Sequence, residues 1–183
     1  MIVVIEGARG VGKTTLAKAL TFALNAYRVF DPRLPSARYE KFTRTPQPHD
    51  DMHRQINEMM ADGRIHVVDR FHITEFVMEW WRALNRGEDL FSRLDADRVE
   101  IMQQLVSVGA LIYVLTAGTR EICERIARRR DLSRRDGIDI FVISAFDYTA
   151  FRDNVPLIRN NTRRDMIVNI LRIMRDIRKE LTK

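Results

Sequence analysis

The stretch Gly7-Ala8-Arg9-Gly10-Val11-Gly12-Lys13-Thr14-Thr15 decides how this 183-residue chain is read. Gly7 to Thr14 matches G-x-x-x-x-G-K-[ST] at every fixed position. The motif follows an apolar run, Ile2–Glu6, and opens a segment rich in Leu and Ala with helical spacing. A strand, a glycine-rich turn and a helix in that order let backbone N–H groups wrap closely around phosphate oxygens, with the positive end of the helix behind them. In such a loop Lys13 reaches the β- and γ-phosphates and the Thr14 hydroxyl ligates Mg²⁺. The expected ligands are therefore ATP and Mg²⁺, with Gly7 to Thr15 as the binding segment. The loop is shared by kinases, GTPases, motor ATPases and switches, but no N-K-x-D segment for guanine recognition is present.

Outward from this loop, short β-type apolar runs alternate with longer stretches of helical period, the pattern of a parallel sheet covered by helices. Strands are expected at Ile2–Glu6, Tyr27–Asp31, Ile65–Asp69, Ala110–Thr116 and Pro156–Arg159. Helices are expected at Lys13–Leu24, Asp50–Asp62, Ile73–Asn85, Asp95–Val108, Thr119–Arg130, Ile138–Asp153 and Arg164–Leu181. Gly63 and Gly109 sit where C-terminal helix caps belong, and Thr162 with Asp165 forms a capping-box-like pair. The proline-punctuated stretch Pro32–His49 reads as an ordered loop. With no repeat or linker, residues 1–183 are expected to form one α/β domain.

Composition narrows the function classes. Hydrophobic residues make up 45% and charged residues 31%, as in soluble globular proteins. The single cysteine, Cys123, leaves no intramolecular disulfide and no cysteine zinc cluster. No signal peptide and no apolar run near the ~20 residues of a membrane span are seen, so a cytoplasmic protein with no membrane partner is expected. The net charge is +6, and only five of the 31 basic residues are lysine. Arginine's planar fork suits polyphosphate or nucleic acid.

Further candidates fall at strand ends. Asp69 closes the third strand, where ligands bind in open α/β sheets, so it can hold Mg²⁺ through a water while Arg70 clamps a phosphate or aligns an acceptor. Asp31 closes the run Tyr27–Asp31 and can orient or deprotonate an acceptor hydroxyl, with Arg33 a candidate for substrate phosphate. Arg125 and Arg129 share a helix face, within six arginines in the eleven residues 125–135. Arginines on a closing lid stabilise the charge spread over a transferring phosphoryl group. Trp80 and Trp81 read as core, and the four histidines show no metal-ligand spacing.

Asp69-Arg70-Phe71 followed by Thr74 resembles the D-R-[YF]-x-x-[ST] segment of thymidylate kinases, and deoxynucleoside kinases carry a related E-R-S segment. Asp31-Pro32 resembles the Glu-Pro of deoxynucleoside kinases with a shorter acid, although the R-E-P-G-G-T loop of thymidylate kinases is missing. The spacing of Arg125 and Arg129 resembles the R-x-x-x-R lid of both families, which places a lid at about residues 125–136. The resemblance implies a three-layer P-loop kinase fold with a five-stranded parallel sheet flanked by helices. It further implies an acceptor site that includes Asp31, Arg33, Arg70 and Phe71. The implied reaction is transfer of the γ-phosphate of ATP to a deoxynucleoside monophosphate or a deoxynucleoside. A related subgroup acts on 5-hydroxymethyluracil in viral DNA, and the pI of about 9.9 together with the short segment Pro32–Arg64 leans towards that DNA-directed variant. An ATP-binding switch would need neither the lid arginines nor Asp31. The partners expected are thus a nucleotide-type acceptor or DNA, and the chain is compatible with a homodimer.

Overall fold

The computed structural model describes residues 1–41, 49–128 and 136–183. Its five strands form one all-parallel sheet in the order β2-β3-β1-β4-β5: β1 (Ile2–Gly7), β2 (Ala37–Lys41), β3 (Ile65–Asp69), β4 (Leu111–Thr116) and β5 (Leu157–Arg159). Around it lie α1 (Lys13–Tyr27), α2 (His49–Ala61), α3 (His72–Asn85), α4 (Phe91–Ser107), α5 (Thr119–Arg128), α6 (Asp136–Arg152) and α7 (Arg163–Leu181). This is the expected three-layer α/β architecture. The central strands β1 and β3 are buried along their whole length, as a sheet covered on both faces requires. Ile2, Ile5, Leu16, Leu20, Ile65, Ile73 and Leu105 anchor the core between sheet and helices.

The local signals read from the sequence recur in the structure. Gly63 and Gly109 adopt left-handed φ values of 69° and 68° between a helix and the next strand. The Thr162 hydroxyl accepts from the Asp165 amide at 3.1 Å, and the Asp165 carboxylate accepts from the Thr162 amide at 2.9 Å, closing the capping box of α7.

One strand differs. Tyr27–Asp31 is not β2: α1 runs on to Tyr27, and Phe30 and Asp31 donate back to the Tyr27 carbonyl in a turn. Val29 and Phe30 stand 78% and 84% exposed, so the apolar run is surface and not sheet. The real β2 lies within the stretch expected to be loop. Ala37-Arg38-Tyr39-Glu40-Lys41 carries no apolar run because it is an edge strand, with β3 as its one neighbour among the described residues. Asn25 of α1 fixes its start, accepting from the Ala37 amide at 2.8 Å and donating to the Ala37 carbonyl at 2.9 Å.

Candidate functional site

The site gathers at the carboxyl ends of β1, β3 and β2. Gly7 adopts φ 131°, and a Cβ there would stand 2.2 Å from the Leu115 carbonyl oxygen, so only glycine lets β1 leave the sheet beside β4. Gly12 precedes α1 at φ 94° with no side-chain cap. At the positive end of a helix the first N–H groups can take an anion. Lys13 is 5% exposed and donates from Nζ to the Ala8 carbonyl at 2.6 Å, which curls its ammonium over the loop. Ala8 and Val11 are buried beneath the loop, while Arg9 is partly exposed and Thr15 is exposed.

Asp69 comes to this loop as its strand position predicted. It is fully buried, and its Oδ2 accepts from Thr14 Oγ1 at 2.5 Å and from Tyr39 OH at 3.1 Å. Burial and the Asp69 charge push the Tyr39 phenol up to about 12, so it stays a donor. The other oxygen, Asp69 Oδ1, has no hydrogen-bond partner among the described residues. A buried carboxylate oxygen left open beside a threonine hydroxyl and a phosphate loop fits Mg²⁺. That ion takes one or two protein ligands and fills its remaining positions with water and substrate phosphates.

Arg70 follows at φ 75°, a left-handed value uncommon for a residue with a side chain, and its Nε is buried without a partner among the described residues. The next turn belongs to α3. There Glu75 lies near Arg70, and burial, reinforced by Glu6 and Glu79 against Arg82, pushes its carboxyl up to about 7. Burial and the Arg98 charge push the neighbouring His72 down to about 3, so that imidazole is neutral.

On the far side of the loop, Arg125 of α5 donates to the Gly10 carbonyl at 3.2 Å, the Asn160 carbonyl at 2.9 Å and the Asn161 carbonyl. It braces the loop against the segment between β5 and α7. Asn160 reinforces the same join, donating from Nδ2 to the Val11 carbonyl at 2.7 Å. Gly10, Arg125 and Asn160, with Gly12, Thr15, Thr162, Arg163 and Met166, line a cavity of about 320 Å³. Arg129, the second lid arginine, lies outside the described residues, as does most of the lid segment 125–136.

Three acceptor-side expectations do not assemble. Asp31 and Arg33 sit before β2, at the amino ends of the strands, because α1 carries the chain away from the loop and β2 must run back. They pair with each other at 3.2 Å, with Arg33 92% exposed. Phe71 is 1% exposed and packs in the core, edge-on to His72 with ring centroids 6.0 Å apart. Conversely, sequence reading passed over Glu6, Tyr39 and Asn160. Glu6 did carry a signal, an acid ending an otherwise apolar strand. Tyr39 carried none once β2 was misplaced.

Of the solved structures, thymidylate kinase from Ehrlichia chaffeensis is similar at a TM-score of 0.55 and 14% identity, over 97% of this chain and 98% of that one. Deoxyadenosine kinase from M. mycoides with bound dCTP gives 0.56 and 14%, over 96% and 99%. The YorR protein from Bacillus subtilis in complex with phosphorylated GDP gives 0.65 and 15%, over 98% of both chains. At such identities the likeness shows the fold, that of P-loop nucleotide and nucleoside kinases. A comparison with curated proteins finds no match. The model of the AAA domain family matches residues 3–140, which take in the phosphate loop, Asp69, Arg70 and Arg125, and the chain therefore belongs to that family of P-loop proteins.

Proposed function

We propose that the protein is an ATP-dependent phosphotransferase whose acceptor is deoxynucleotide-like, in the first place a deoxynucleoside monophosphate. The observation that carries this reading is the convergence at the carboxyl end of the sheet of Lys13, the Thr14–Asp69 pair and Arg70. A switch that only binds ATP has no use for an arginine held at the next strand end. The names of the similar structures, a thymidylate kinase and a deoxyadenosine kinase, point to the same acceptor class.

In this reading the loop amides and Lys13 bind the β- and γ-phosphates. Thr14 and Asp69 would hold Mg²⁺, which when bound neutralises charge on those phosphates. Arg70 aligns the acceptor oxygen on the γ-phosphorus. The new P–O bond forms as the bond to the bridging β–γ oxygen breaks and ADP leaves. A monophosphate acceptor presents an anionic oxygen and requires no base, whereas a hydroxyl acceptor must lose a proton.

A second reading is transfer to a hydroxymethylated base such as 5-hydroxymethyluracil in DNA, favoured by the net charge of +6 and the predominance of arginine. The experiment that separates the two is transfer from labelled ATP to deoxynucleoside monophosphates, deoxynucleosides and hydroxymethylated duplex DNA, side by side at two salt concentrations. Neutralising DNA phosphates releases counterions, so DNA affinity falls by about 0.9 log units per log unit of salt for each contact. Transfer to a monophosphate that changes only a fewfold with salt supports the first reading. Transfer confined to DNA and collapsing as salt rises replaces it with the second.

A further inference from the structure

Glu6 is the last side chain before the phosphate loop and lies fully buried at the centre of the sheet. Its carboxylate is spent on the start of α3. Oε1 accepts from the Phe71 amide at 2.9 Å and the Ile73 amide at 3.0 Å, and Oε2 accepts from Thr74 Oγ1 at 2.5 Å. The helix needs this. Phe71 is its N-cap residue and offers no side-chain cap, so the orphan donors of the first turn are met from another strand. An acid is also the favoured partner for the positive end of a helix.

The residue immediately before these donors is Arg70, in the left-handed conformation at φ 75°. Its own amide donates to the Ile5 carbonyl at 3.1 Å. Arg70 is therefore bracketed: β1 holds its amide through Ile5, and β1 holds Phe71, Ile73 and Thr74 through Glu6. We infer that Glu6 is a positioning residue that fixes the acceptor-side arginine against the donor loop, so that one strand, β1, sets both halves of the reaction. This inference rests on the phosphotransferase reading and assigns Glu6 no contact with substrate. Reaction of two bound groups depends steeply on their alignment, and a displacement of about 1 Å can cost on the order of 10²-fold in rate.

The test compares Glu6→Gln, Glu6→Ala and Thr74→Val in the full chain. Glutamine can still accept both amides through its carbonyl oxygen and can donate to the threonine oxygen, so Glu6→Gln should keep kcat within about threefold. Glu6→Ala should lose on the order of 10²-fold in kcat with KM for ATP changed less than about threefold. Thr74→Val, which removes one of the three bonds, should fall between them and covers the case in which the alanine variant does not fold. Backbone hydrogen exchange provides a readout independent of turnover: in Glu6→Ala the Phe71 and Ile73 amides should exchange faster while those of α1 stay protected. Unchanged kcat in Glu6→Ala, loss of activity in Glu6→Gln equal to that in Glu6→Ala, or unaltered exchange at Phe71 and Ile73 would each overturn the inference. If the wild-type protein transfers phosphate to no acceptor, the functional reading falls instead, and the exchange measurement still decides whether Glu6 holds this turn.

Discussion

Thr14 Oγ1 donates to Asp69 Oδ2 at 2.5 Å, which joins the first turn of α1 to the end of β3 across 55 residues of sequence. In the proposed metal role the hydroxyl gives its proton to Asp69 and keeps its oxygen lone pairs for the ion. It also leaves Asp69 Oδ1 buried and open. The two side chains act as one unit.

Asp69→Asn keeps the size of the side chain and removes its charge. Transfer should fall about 10²- to 10³-fold, the cost typical of deleting one electrostatic contact at a reacting phosphate. The Mg²⁺ concentration giving half-maximal rate should rise in the same variant. A rate titration in Mg²⁺ reads both. Normal turnover at ordinary Mg²⁺ would remove Asp69 from the metal site.

Arg125 makes its bonds to the Gly10, Asn160 and Asn161 carbonyls in the protein as it stands. In the proposed reaction such bonds point to ground-state binding, so Arg125→Ala should raise KM for ATP roughly 10-fold, equivalent to about 1.4 kcal/mol, with a smaller change in kcat. Steady-state kinetics in ATP decide the matter. A fall in kcat at unchanged KM would return Arg125 to the role of a lid residue acting in the transition state.

Much of this was legible in the sequence, and the exceptions share a cause. The phosphate loop, β3 with Asp69 at its end and the Thr162–Asp165 cap are local patterns, each decided by a few neighbouring residues. β2 is not local. Its polar sequence reads as a strand only once β3 is known to lie beside it, while Val29 and Phe30 advertise a core they do not enter. The acceptor role assigned to Asp31 went with the misplaced strand, and Tyr39, which does reach Asp69, stayed hidden in the supposed loop. Glu6 was visible as a lone acid, but its partners lie 65 to 68 residues away.

The relocation of Asp31 has its own consequence. Asp31→Ala should leave kcat and KM within about twofold of wild type and change stability by no more than about 0.5 kcal/mol, as for other surface substitutions. Kinetics and thermal melting measure this directly. A large loss of transfer would restore Asp31 to the site against the strand topology.

Glu75 gives the fold a pH dependence. Its folded pKa is raised to about 7 from an ordinary value near 4.5. The folded state thus binds more protons than the unfolded state between those values. The associated stability is complete below about 4.5 and is lost as pH rises through about 7. Glu75→Gln removes that loss. Allowing for its partial exposure, the gain above pH 7 should be roughly 1 kcal/mol, or about 2–4 °C in Tm for a chain of this size. At pH 4.5 the variant and wild type should melt together. A variant that melts lower than wild type at pH 8 would show that the carboxylate is paired and not strained.

Lys13→Ala decides whether the phosphate loop performs the transfer proposed for it. The Lys13 ammonium curls over the loop from within a buried position, and in the proposed reaction its loss removes one charge contact to the transferring group. With labelled ATP and the acceptor that the wild-type protein phosphorylates best, the variant should retain its fold by circular dichroism and lose at least about 10²-fold in kcat. Wild-type turnover in a folded Lys13→Ala protein would contradict the account.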